Sequence, residues 1–255
     1  MKPLQGKKIL VTREASQAKA FSRQIALAGG IPVELPLLEI NCSQRAENLP
    51  IWQRLDSYSW ILFTSANGVD CFFRQLEALK IPANRFASAK IGVVGHKTEN
   101  ALKEHGKHAD FIPSVYDAET MGHEFLRKHP RPGTILLVRG SRSRDVLPHL
   151  FGRENIAFDS LEVYETVYNK SIGSKLTETL DENEFAFITF TSPSTIEAFI
   201  DLGGLPHLLD TSICCIGTTT AEKAESCGFA DIIVPDEFTI EGMVSVMGHA
   251  VTGKD

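Results

Sequence analysis

The stretch WILFTSANGVDCFF, Trp60 to Phe73, returns in altered form as FITFTSPSTIEAFI, Phe187 to Ile200. In each, an apolar run enters Thr-Ser, passes through small residues, and continues as a segment whose apolar positions fall three and four apart. The first part has the length and unbroken apolarity of a strand buried on both faces, and the last has the period of an amphipathic helix. A short strand leading through a Thr-Ser loop into a helix is the repeating element of a parallel α/β sheet.

The same relation holds along the rest of the chain. KILVTREAS from Lys8 matches TILLVRGSR from Thr134 and sets Arg13 against Arg139, 126 residues apart. IGVVGHKTENALKEHG from Ile91 matches ICCIGTTTAEKAESCG from Ile213, with Gly95 against Gly217 at 122 residues, and ADFIPSVYDAETM from Ala109 matches ADIIVPDEFTIEGM from Ala230. Thr64 aligns with Thr191 at 127 residues. Four offsets this close are the mark of a duplicated unit. The expected architecture is α/β: two similar lobes, each a parallel sheet flanked by helices. Ligands of such sheets bind outside the carboxyl ends of the strands, where the Thr-Ser and Gly-x-x-Thr stretches fall.

With 255 residues, 43% of them hydrophobic, the chain can fill two ordinary cores. No apolar run reaches the roughly 20 residues of a membrane span, and MKPLQGKKILVTRE enters a strand, which places the expected location in the cytoplasm. The net charge of −6 argues against nucleic-acid binding, which requires a basic field. The five cysteines, Cys42, Cys71, Cys214, Cys215 and Cys227, form no C-x-x-C pair, so neither a disulfide nor a thiolate metal site is expected.

Neither G-x-G-x-x-G nor G-x-x-x-x-G-K-[ST] occurs, which disfavours dinucleotide and P-loop nucleotide sites, and without a G-x-S-x-G elbow nucleophilic hydrolysis has no support. His105, His108 and Asp110 sit at the polar end of a helix and read as solvated surface rather than as a metal site. What remains is binding chemistry. Helix N-termini carry unpaired N–H groups and partial positive charge, and anions use them. Taken singly, Ser65, Thr98, Ser192 and Thr219 read first as N-caps, but four of them on matching edges point beyond capping to a ligand. Arg139, Arg142 and Arg144 in VRGSRSRD either form a solvated helix start beside Asp145 or capture a carboxylate or phosphate. In LEVYETVY, alternation puts Leu161, Val163 and Glu165 on one face and Glu162, Tyr164 and Thr166 on the other; packing or a surface role explains Tyr164 equally well.

VTRE, FTSANGV, VVGHKT, LLVRG, EVYETV, TFTSPSTIEAF, IGTTTAEKA and VPDEFTIEGM, in that order over nearly the whole chain, resemble the uroporphyrinogen-III synthase family. The resemblance implies a discontinuous lobe of residues 1–36 and 169–255, a second lobe of 41–163, connecting strands at 37–40 and 164–168 as a two-stranded hinge, and a cleft between the lobes. It implies a lyase that closes hydroxymethylbilane, a linear tetrapyrrole with eight carboxylates, with loss of water and inversion of ring D. Tyr164 matches a tyrosine that faces the cleft and assists departure of the substrate hydroxyl. The Thr64-Ser65 loop with Ala66 and Asn67, and the Thr191-Ser192 loop with Ser194, match loops that meet carboxylates through main-chain amides. Gly95 with Thr98, and Gly217 with Thr219 and Thr220, match threonine loops of the two lobes; Arg13, Arg139 and Gly140 match strand-end positions. The family commonly has Pro where Thr218 stands and Ala where Glu99 stands, and Glu99 would repel a nearby carboxylate. No cofactor or metal is implied. The expected partner is the small-molecule bilane, with no nucleic acid or membrane, a monomeric chain, and room for transient contact with the preceding pathway enzyme. The competing classes are a two-lobed small-molecule binding protein, which would bind without turnover, and a nucleotide-sugar glycosyltransferase, which nucleotides would stabilise.

Overall fold

The structure is a computed structural model that describes residues 2–204 and 211–253. The chain opens with β1 (Lys8–Val11), α1 (Ala15–Leu27), β2 (Ile31–Glu34) and β3 (Leu38–Asn41). There follow α2 (Leu49–Gln53), β4 (Trp60–Phe63), α3 (Ala66–Ala78), β5 (Lys90–Val93), α4 (His96–Glu104), α5 (Ala118–Lys128), β6 (Ile135–Gly140), α6 (Val146–Arg153) and the long β7 (Phe158–Tyr168). The last part holds α7 (Gly173–Asp181), β8 (Phe187–Phe190), α8 (Pro193–Asp201), β9 (Ser212–Cys215), α9 (Thr218–Ser226), β10 (Ile232–Ile233) and α10 (Ile240–Thr252). Among the described residues no helix is long and apolar enough to cross a membrane.

Two compact units result. One comprises Met1–Glu39 and Val167–Asp255, the other Ile40–Thr166, so the chain passes from the first to the second within β3 and returns within β7. The first unit carries a five-stranded sheet of order β10-β9-β8-β1-β2, and the other sheet has the order β3-β7-β6-β4-β5. β1 pairs in parallel with β2 and β8, and β4 in parallel with β5 and β6.

Strand alternation explains why these apolar runs suit a sheet covered on both faces. In the second unit Ile61, Phe63, Leu136 and Val138 point into the core beneath α3 and α4, with Phe72, Leu76 and Leu102. Trp60, Leu62, Ile135 and Leu137 point the other way, to Met121 and Phe125 of α5 and Phe151 of α6. The first unit repeats the arrangement: Ile9, Val11, Phe187 and Cys214 meet α1 and α10, while Leu10, Ile188, Phe190 and Ile213 meet α7, α8 and α9. Each fully buried Phe or Leu contributes roughly 1.5–3 kcal/mol.

The cysteine reading requires correction. Cys42 and Cys71 form a disulfide with 5.2 Å between their Cα atoms. They are 29 residues apart, Cys42 just beyond β3 and Cys71 on the buried side of α3, and only the packing of α3 on the sheet brings them together. Gln75 reinforces the same junction, its side-chain amide donating to the carbonyls of Ser43 at 3.0 Å and Val163 at 2.6 Å. Cys214 and Cys215 are buried free thiols, and burial raises the pKa of both, that of Cys215 to about 12.

Candidate active site

The ends of β4 and β6 meet the continuing strand β7 at the carboxyl edge of the second unit's sheet. After β4, Ser65 adopts extended dihedrals and caps α3, its Oγ accepting the Gly68 N–H at 3.0 Å. β6 ends in Arg139 and Gly140. Its parallel pairing with β7 shifts there: Arg139 faces Glu162, but Gly140 faces Tyr164, so β7 carries one extra residue at this point. The Tyr164 ring lies against Gly140, where a Cβ would fall 2.4 Å from ring carbon Cζ. The missing side chain is what admits the ring. Tyr164 Oη stands 3.1 Å from Ser65 Oγ.

Arg139 is only 5% exposed. One terminal nitrogen pairs with the Asp145 carboxylate at 2.8 Å, the other donates to the Ser143 carbonyl, and Nε–H has no partner. The Gly140 N–H donates to Ser143 Oγ at 3.1 Å, which folds the VRGSRSRD turn back on the strand end. Between this turn and the start of α5 lies a cavity of about 300 Å³, walled by Thr64, Ser65, Tyr116, Asp117, Arg144 and Tyr164 over an apolar floor that includes Leu137 and Leu147. Asp117 caps α5 by accepting the Thr120 N–H at 2.7 Å. That bond, joined by the charge of Arg144, holds its carboxyl below the usual range.

The structure therefore brings together Thr64, Ser65, Arg139, Gly140 and Tyr164. Ala66 and Asn67 form the first turn of α3 beside them. Gly95 caps α4 with its backbone alone, and Tyr116, 55% exposed, lies across it; Thr98 sits in the first turn of α4, not at the cap, and is buried. Glu99 is engaged by Lys103 at 3.1 Å and His96 at 3.3 Å on its own helix. Tyr116, Asp117 and Ser143 were not singled out in the sequence. The signal for Tyr116 lay in the repeat: it stands 21 residues beyond Gly95, as Phe238 stands 21 beyond Gly217.

In the first unit the other predicted residues lie at the carboxyl edge of its own sheet. Arg13 follows β1, its Nε donating to Gln17 Oε1 at 2.7 Å, and burial pushes its guanidinium below the usual value. Thr191 and Ser192 precede α8, where Ser192 and Thr195 exchange hydrogen bonds as a capping box and Ser192 Oγ lies 2.9 Å from Ser194 Oγ. Gly217 caps α9 with backbone alone; Thr219 is exposed and Thr220 buried in its first turn. Ser65 and Ser192 are thus caps, whereas Thr98 and Thr219 stand inside their helices, because glycine already holds the extended cap position.

Comparison with known proteins gives this geometry a family. The chain is 33% identical over 245 residues to "Porphyrin biosynthesis protein HemD" of Ruminiclostridium josui, covering 95% of this chain and spanning 48% of that protein's length. It is 31% identical over 247 residues to "Putative uroporphyrinogen-III synthase" of Methanocaldococcus jannaschii, covering 94% of this chain and 97% of that one. The crystal structure of uroporphyrinogen-III synthetase from Helicobacter pylori shares the fold, with a TM-score of 0.62 at 17% identity over 94% of this chain and 97% of that one. A family profile described as "Uroporphyrinogen-III synthase HemD" matches residues 19–245, and with most of its length so matched the chain belongs to the uroporphyrinogen-III synthase family.

Proposed function

We propose that this protein closes hydroxymethylbilane to uroporphyrinogen III, with loss of water and inversion of ring D, and that Tyr164 assists departure of the substrate hydroxyl. The observation that carries the assignment of roles is Tyr164, its hydroxyl beside Ser65, in the wall of a cavity that Arg139 and Arg144 also line. In an acidic chain, Arg144 and the amides at the start of α3 are local donors for substrate carboxylates, each charge-assisted hydrogen bond adding roughly 1.5–3 kcal/mol. Arg139, tied to Asp145 and Ser143, holds the turn. A volume near 300 Å³ is at the lower end of small-molecule sites and suits one substituted pyrrole of the bilane rather than all of it.

The chemistry asks little of acids and bases. As the C–O bond of the terminal hydroxymethyl group breaks, its electron pair leaves on oxygen and the pyrrole nitrogen takes up the positive charge. The Tyr164 O–H hydrogen-bonds to the departing oxygen and passes its proton to it, so that the oxygen leaves as water and the tyrosine is left as phenolate. The substituted α-carbon of ring D attacks the electrophilic methylene carbon of the resulting azafulvene cation to give a spiro-pyrrolenine. The older bond from that α-carbon to the ring C methylene then breaks, leaving a second azafulvene cation on ring C. The unsubstituted α-carbon of ring D bonds to it and releases its hydrogen as a proton, which returns to the Tyr164 phenolate. Because the bilane also closes unaided to the uninverted isomer, the protein's task is orientation of one closure over the other. A thousandfold preference requires about 4 kcal/mol of differential stabilisation.

The test is incubation with freshly prepared hydroxymethylbilane and chromatographic separation of the type I and type III products. Type III as the main product is expected; type I alone, at the rate of the enzyme-free control, rejects the reading. We place the protein in the cytoplasm, and fractionation of cells producing it checks that.

A further inference from the structure

We infer that Ser65 is a positioning residue for Tyr164: it donates its hydroxyl hydrogen to Tyr164 Oη and so turns the phenol's own hydrogen away from α3 toward the substrate. The inference rests on the role proposed above for Tyr164. A serine hydroxyl has one hydrogen to give and two lone pairs to receive. One lone pair of Ser65 Oγ is taken by the Gly68 N–H at 3.0 Å, and the oxygen sits at the N-terminus of α3, where neighbouring N–H groups draw electron density from it. Such an oxygen is a poor acceptor and a good donor. Its available partner is Tyr164 Oη at 3.1 Å. Receiving that hydrogen leaves the tyrosine free to donate its own, and each bond in the series polarises the next. The Tyr164 ring cannot swing out of this series toward β6 except over Gly140, against which it already lies.

The matching serine of the first unit is engaged differently: Ser192 shares its hydroxyl with Ser194 and Thr195. The role of Ser65 therefore arises from what faces it, not from its place in the repeat.

The test compares Ser65→Asn with Ser65→Asp. Both side chains are of one size and both cap helices well, each accepting the Gly68 N–H. Asn retains an N–H to donate to Tyr164, whereas Asp can only accept and would draw the phenol hydrogen inward. With equal thermal midpoints, kcat for type III formation is expected to be at least about tenfold lower in the Asp variant than in the Asn variant. In a Tyr164→Phe background the same two substitutions are expected to give nearly equal kcat. Ser65→Thr, which keeps the hydroxyl, is expected to rank with Asn and remains available should Asp misfold. Equal kcat for Asn and Asp with Tyr164 present, or a Thr variant as slow as Asp, overturns the inference. So does a tenfold gap that persists with Phe at 164, which would mean that the carboxylate charge acts directly on substrate. Wild-type protein that makes no type III product fails the underlying reading instead, and the two failures are separate because the wild-type assay precedes the variants.

Discussion

The two units are built from the same strand-loop-helix repeat, yet corresponding positions have come to different ends. In the second, the strand-end Arg139 is followed by Gly140, the gap left by glycine is filled by the Tyr164 ring, and the cap serine touches that tyrosine. In the first, the strand-end Arg13 bonds to Gln17 of the helix that follows it, and the cap Ser192 is closed in a capping box. One correspondence survives in both: an exposed aromatic, Tyr116 or Phe238 at 55% and 57% exposure, lies across the glycine that caps the next helix. A duplicated scaffold therefore carries duplicated backbone donors, while a tyrosine hydroxyl beside the cap serine belongs to one copy. Side chains that cap or brace satisfy local rules in either unit, but Tyr164 depends on a strand that runs from one unit into the other.

The largest test of this asymmetry concerns stability. The Cys42–Cys71 bond closes a loop of about 30 residues, worth about 3–4 kcal/mol by chain entropy, and it lies wholly in the second unit. Both tryptophans, Trp52 and Trp60, lie there too, so their fluorescence reads that unit alone. Cys42→Ser, or reduction, is expected to lower the denaturant midpoint seen by tryptophan emission; an unchanged midpoint would show that the pair does not clamp α3.

Next in size is the role proposed for Tyr164. Tyr164→Phe is expected to lower kcat for type III formation roughly 100-fold, at the low end for a positioned general acid, with the thermal midpoint unchanged. Loss of the Ser192 hydroxyl as Ala is expected to cost stability, about 1 kcal/mol for a lost N-cap, with little change in kcat. Equal effects of the two substitutions on kcat would break the comparison.

Gly140→Ala sharpens it further. The new methyl would meet the Tyr164 ring at 2.4 Å, so the ring must shift, and kcat is expected to fall about tenfold while far-UV dichroism stays as it was. The smallest effect concerns the paired caps of α5 and α10. Asp117 accepts from Thr120, whereas Thr239 accepts the Gly242 N–H through a hydroxyl. Because the folded state holds the Asp117 carboxyl below its usual range, its contribution is complete above that range and is lost as pH falls through the folded value. Amide exchange protection at the start of α5 is expected to drop over that acidic window, while α10, with a neutral cap, holds. Parallel loss in both helices would assign the effect to general acid unfolding.

Much of the fold was legible because buried parallel strands and amphipathic helices write their periods directly into the chain. Trp60–Phe63 and Phe187–Phe190 are strands where the apolar runs placed them, and Ser65 and Ser192 cap helices where capping preferences placed them. Of the four residues that taken singly read as caps, Thr98 and Thr219 are not caps, because glycine, needing no side chain to hold an extended cap, leaves the next polar residue as the visible signal. Tyr164 was visible as one face of an alternating strand. Its partner was not, because the extra residue in β7 that sets it against Gly140 leaves no mark in local pattern.

By itself, then, the sequence determined the repeat, the strand-helix order, the apolar faces and the positions of the loops, since each depends on residues within a few places of one another. Tertiary structure alone decided that Cys42 meets Cys71, that Tyr164 lies on Gly140 with its hydroxyl beside Ser65, and that Tyr116 and Asp117 close the cavity. These are contacts across 20 to 100 residues of chain, fixed by sheet order and helix packing, and no local propensity encodes them.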